Sequence, residues 1–82
     1  MSDWFVYIIR ASDDSLYTGV TTDVQRRFEQ HLTKRGAKFF SGRMPEAIEY
    51  CQAFPDQGSA LKREAEIKKL GHRDKLALIE DQ

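Results

Sequence analysis

Five residues of chemically capable type stand out in this chain: Tyr7, Tyr17, Arg27, His31 and Glu64. Two phenols, a guanidinium, an imidazole and a carboxylate are the groups that orient water, clamp anionic oxygens, move protons and bind hard cations. Tyr7 lies mid-strand in the most apolar stretch, where a covered hydroxyl must find a partner. Tyr17 stands close to Gly19. Arg27 and His31 are four residues apart, so a helix makes them neighbours at the border of its apolar face, while Arg26 points elsewhere. Glu64 falls near the middle of an arc formed by Ala60, Leu61, Ala65 and Ile67, where a carboxylate rarely sits unpaired. Each position also has a plain structural reading. The tyrosines can be core residues with hydroxyls at the rim, the Arg27 stem can cover apolar surface, and Glu64 can form an i, i+4 ion pair with Lys68.

The elements that must carry these groups are readable in turn. Trp4 to Arg10 is aromatic and β-branched on both alternating faces, which predicts a central strand buried on two sides. Ser12 to Ser15 are turn formers, and Leu16 to Val20 predicts a second strand closing a hairpin. Gly19 interrupts that strand, marking a bulge or a place where backbone or ligand comes close. Thr22 or Asp23 can cap a helix to about Lys34 whose face is Val24, Phe28 and Leu32. Gly36 to Pro45 reads as a loop of about ten residues, longer than most connections. Ala47 to Phe54 predicts a third strand closed by Pro55 to Gly58. Ser59 is the expected cap of a helix from Ala60 to Leu70, with Gly71 at its C′ position, and Arg73 to Glu80 forms a last helix. The expected fold is α+β, a small three-stranded antiparallel sheet flanked by helices in the order β-β-α-β-α-α, as one domain over residues 1–82.

Composition narrows the function classes. A chain of 82 residues has room for one modest core, and no apolar run approaches the roughly 18 residues that cross a bilayer, so no membrane partner is expected. The residues Met1 to Trp4 lack the basic stretch and small-residue cleavage site of a secretory signal, which leads to an expected cytoplasmic location. One cysteine, Cys51, and two separated histidines offer neither a disulfide nor a zinc spacing. Net charge is zero, yet it is sorted: residues 26–43 carry six bases against one acid, and residues 62–75 six against three. Such blocks suit a phosphate backbone and equally suit solvated helix faces.

The run Tyr17-Thr18-Gly19-Val20-Thr21-Thr22-Asp23-Val24-Gln25-Arg26-Arg27-Phe28-Glu29-Gln30-His31, preceded by Val6-Tyr7-Ile8 and followed by Glu64 with Ile67-Lys68-Lys69, resembles the GIY-YIG nucleases, in particular their small stand-alone UPF0213-like members. The resemblance covers essentially the whole chain. It reads a valine in the first triad and Thr18 for the second isoleucine, and has Leu32 and Phe39 where the small members often carry Asn and Tyr.

The resemblance implies an endonuclease that hydrolyses phosphodiester bonds, with DNA as partner and a role of the DNA-repair kind; with nothing resembling a separate sequence-reading module, structure-selective or weakly sequence-selective cleavage is expected. Phosphodiester hydrolysis needs an in-line water, neutralised phosphoryl charge and a stabilised leaving oxygen. By resemblance Glu64 would hold one Mg²⁺ or Mn²⁺, Arg27 would clamp the phosphate, and Tyr7 would orient or deprotonate the water with Tyr17 as a second hydrogen-bond partner. A phenol with its reference pKa of about 10 needs a cation such as Arg10 or the metal to ionise near neutrality, and His31 is the alternative base. Arg10, Gly19, Lys34, Lys38 and Arg43 are the expected substrate contacts, with Phe39 and Phe40 offering rings for stacking or else simply buried. A monomer is expected. The rival readings are a non-catalytic nucleic-acid-binding module and a subunit of a nuclease complex.

Overall fold

A strand that is apolar on both faces has to be covered twice, and the computed structural model, which describes residues 3–82, covers β1 (Trp4–Ala11) on both sides. The leader reading of Met1 and Ser2 lies outside the described residues. β1 pairs antiparallel with β2 (Leu16–Thr21) and with β3 (Pro45–Phe54), so the sheet order is β2-β1-β3. On one face Val6, Ile8, Leu16 and Tyr50 pack against Ala60 and Ile67 of α2 (Gln57–Lys68), with Leu78 and Ile79 of α3 (His72–Glu80) alongside. On the other face Tyr7, Ile9 and Ala11 pack under Phe40, Tyr17, and Val24 and Phe28 of α1 (Val24–Leu32). The α+β architecture and the order β-β-α-β-α-α are as expected.

Local chemistry sets the boundaries. The hairpin turn is held by Asp13, whose carboxylate accepts from the Ser15 N–H, while Asp14 takes the left-handed conformation at φ 68°. Asp23, rather than Thr22, caps α1 by accepting from Arg26 N at 3.0 Å. The register of β3 slips twice against β1, at Glu49 and at Glu46, and both extra residues are carboxylates that reach Arg10.

Several boundaries differ from the sequence expectation. α1 ends at Leu32, two residues early, and buries His31 completely while Leu32 stays 38% exposed. The helix is therefore rolled toward its polar residue, because a hydrogen-bonded imidazole can be covered without cost where a leucine has no facing surface. The loop from Gly36 contains a short 3₁₀ turn, Lys38–Phe40, and β3 begins at Pro45. α2 starts at Gln57, capped by Asp56 and not by Ser59; the Asp56 carboxylate accepts from Ser59 N at 2.7 Å and faces the positive helix end. Its packed face runs through Ala60, Glu64 and Ile67, leaving Leu61 and Ala65 exposed. Gly71 is the N-cap of α3 at φ −72°, not a left-handed C′ residue, since the Lys69 and Leu70 N–H groups already close the last turn of α2.

Candidate active site

Strand register brings the first two groups together. Tyr7 lies directly opposite Gly19, and a Cβ on residue 19 would stand 2.5 Å from the Tyr7 Oη and 2.7 Å from its Cζ. The glycine is thus the floor on which the Tyr7 ring rests, which answers why a strand interior tolerates it. Tyr17 leans over the same spot with its ring centroid 6.2 Å from that of Tyr7 and 5.4 Å, edge-on, from that of His31.

α1 delivers the next two. His31 Nε2 lies 3.1 Å from Tyr7 Oη, and its Nδ1 accepts the Ala37 N–H at 3.2 Å. Burial, then the adjacent Arg27 charge, pushes the imidazole pKa down to about 4, so the ring is neutral near pH 7. Arg27 is half-buried and donates to Gln30 Oε1 at 2.9 Å. For Tyr7 burial is the largest influence, followed by repulsion from Tyr17, and together with Glu64 they outweigh the opposing pull of the Arg27 guanidinium; the phenol is pushed up to about 12. The charges of Arg27 on α1 and, more weakly, of Glu64 on α2 both act on this hydroxyl.

Glu64 has a side chain only 17% exposed and is paired with Lys68 at 3.2 Å. The ion-pair reading of the sequence is realised, and the charge of the same carboxylate also bears on the Tyr7 hydroxyl, as the smallest of its influences. Among the described residues no group of three or more His, Cys, Asp or Glu side chains could cage a metal. A lone, half-sunken carboxylate fits a Mg²⁺-type ion that keeps several waters and shares a substrate phosphate, and does not fit zinc.

Beside Arg27 opens a polar depression of about 210 Å³ lined by Thr21, Thr22, Asp23, Arg26, Arg27 and Gln30. Arg26 therefore borders the same hollow as Arg27 instead of pointing away from it. Most of the other cations expected to meet substrate are engaged within the protein. Arg10 binds Glu46 at 2.5 Å and Glu49 at 3.5 Å, with Asp14 at 3.9 Å, so it is not the cation beside Tyr7; that place belongs to Arg27. Lys34, at φ 64°, spends its Nζ on the Phe40 and Arg43 carbonyls, both at 2.7 Å. Arg43 pairs with Asp13 at 2.7 Å and stacks on Phe39, 4.3 Å from the ring centroid. Lys38 is exposed. Phe40 is fully buried and Phe39 packs against Tyr17, so neither ring lies free for a base.

Sequence reasoning missed Gln30, Gly36 and Ala37. Gly36 had a signal: a Cβ there would sit 2.0 Å from His31 Nδ1, and glycine is the residue that permits such an approach.

Comparison with known proteins identifies the family of the chain. A family model described as the GIY-YIG catalytic domain matches residues 3–77. The UPF0213 protein YhbQ of Salmonella arizonae is 42% identical over 82 residues, spanning 100% of this chain and 82% of that protein. YhbQ of Escherichia coli O1:K1 is 40% identical over 79 residues, spanning 96% and 79%. The solution NMR structure of the UPF0213 protein BH0048 from Bacillus halodurans superposes with a TM-score of 0.63 at 40% identity, covering 98% of this chain and 85% of that one.

Proposed function

The chain belongs to the GIY-YIG family, whose model describes a catalytic domain, and from that premise we propose that it is a metal-dependent endonuclease hydrolysing phosphodiester bonds in DNA with structure-selective or weak sequence preference. The observation that carries this reading is the Tyr7 hydroxyl, seated over Gly19 and hydrogen-bonded to His31, with the charges of Arg27 on α1 and Glu64 on α2 acting on it.

Arg27 clamps a phosphoryl oxygen through its planar N–H fork, a contact that strengthens as negative charge develops. Its bond to Gln30 fixes the direction of the fork. Tyr7 orients the attacking water; as a phenolate, its own proton first lost to bulk water, it would take the water's proton while the water oxygen bonds to phosphorus and the P–O bond to the leaving oxygen breaks, that oxygen taking a proton from solvent. With the phenol pushed up to about 12 that role is closed to the isolated site. Tyr17 offers a second hydroxyl at the same rim. Glu64 would hold the Mg²⁺ or Mn²⁺ ion, which supplies Lewis acidity and neutralises phosphate charge when bound. Engagement of Glu64 by that ion competes with its pair to Lys68. Arg26, Thr21 and Thr22 around the depression are placed for neighbouring phosphates, in preference to Arg10, Lys34 and Arg43.

The test is cleavage of labelled single-stranded, duplex and branched DNA with Mg²⁺ or Mn²⁺ by the wild type, Arg27→Ala and Glu64→Ala. Metal-dependent cutting that falls on the order of 10²-fold or more in both variants is expected. No cutting by any protein, or equal cutting by all three, returns the chain to the binding-module reading.

A further inference from the structure

His31 has a defined tautomer, and its partners dictate which. The Ala37 amide can only donate, so the 3.2 Å contact makes Nδ1 of His31 the bearer of a lone pair. A neutral imidazole has one proton, which then resides on Nε2. Nε2 in turn lies 3.1 Å from Tyr7 Oη, so the hydrogen bond between them runs from the ring N–H to the phenol oxygen. We propose that the Gly36–Ala37 segment is a positioning element that locks His31 as an Nε2–H donor to Tyr7, which makes His31 a holder of the Tyr7 oxygen and not a proton acceptor.

The segment is built for close approach to this ring. A Cβ at residue 36 would collide with Nδ1 at 2.0 Å and with Cε1 at 2.6 Å, so only glycine lets the chain pass over His31 and present the next N–H. Lys34 clips the same loop by reaching across to the Phe40 and Arg43 carbonyls, and Phe40 closes the other side with its ring 4.6 Å from that of His31. The Arg27 guanidinium, the cation beside Tyr7, has no acceptor atom. The Tyr7 hydroxyl proton can pass to neither His31 nor Arg27 and leaves toward water or substrate, while a phenolate at Tyr7 receives an N–H from His31. This rests on the nuclease reading for its catalytic consequence, but the tautomer does not.

Two experiments on the full chain test it separately. In ¹⁵N NMR spectra that resolve the ring nitrogens of His31, Nδ1 is expected unprotonated and Nε2 protonated at neutral pH, with loss of that pattern in Gly36→Ala; a proton on Nδ1 in the wild type overturns the proposal whether or not the protein cuts DNA. In cleavage assays His31→Gln, whose amide N–H reaches about as far as Nε2 yet has no basic nitrogen, is expected to lose no more than about tenfold in kcat, and His31→Leu on the order of a hundredfold. Equal inactivity of both variants, in proteins shown to be folded, refutes the donor role. If the wild type itself does not cut, the nuclease reading fails and the ring-nitrogen spectra alone decide the tautomer.

Discussion

Acid should destabilise this protein in part through His31. His31 is fully buried, and its pKa in the folded chain is about 4 against an ordinary 6.5 in the unfolded one. The unfolded chain therefore takes up the proton first, so the contribution is fully present above about pH 6.5 and is lost as pH falls toward about 4. The complete gap corresponds to at most about 3 kcal/mol, and between about pH 7.5 and about pH 5 the loss amounts to about 2 kcal/mol. His31→Gln removes this titration while leaving the surface carboxylates and the exposed His72 unchanged. Urea unfolding at the two pH values, on wild type and variant, isolates the His31 component as a difference of differences. For a small domain it shifts the wild-type midpoint by roughly 1–2 M more than that of the variant. Equal pH responses in the two proteins, within about 0.5 kcal/mol, would show that His31 is not held neutral by burial and refute the reasoning.

Gly19→Ala places a methyl against the Tyr7 ring between two paired strands; a loss of about 1–3 kcal/mol in thermal unfolding is expected, together with reduced cleavage. Ile67→Ala is expected to cost about 2–5 kcal/mol in denaturant melts and Leu32→Ala less than about 1, the reverse of what helix periodicity around Leu32 suggests. Lys34→Ala frees the loop that covers His31, with a stability loss of about 1 kcal/mol and faster amide exchange at Ala37 as the readout.

Much was legible in one dimension. Trp4 to Arg10 carries β-branched and aromatic residues on both faces, and only a central strand under two layers buries them all; the sheet order β2-β1-β3 follows from that pattern and two antiparallel connections. Tyr7, Gly19, Arg27, His31 and Glu64 stood out weakly one by one and were named together by the motif they resemble; the tertiary structure seats the Tyr7 hydroxyl over Gly19 and against His31. What the sequence by itself could not determine is which polar groups already have partners. Arg10, Lys34 and Arg43 look alike as cations in a string of residues, yet Glu46 and Glu49, the Phe40 and Arg43 carbonyls, and Asp13 bind them across 6 to 39 positions of chain. The orientation of α1 was hidden for the same reason. Its apolar periodicity favours Leu32, but the Tyr7 hydroxyl and the Ala37 N–H converge on His31, and satisfying both ring nitrogens is a long-range fact that only the folded chain contains.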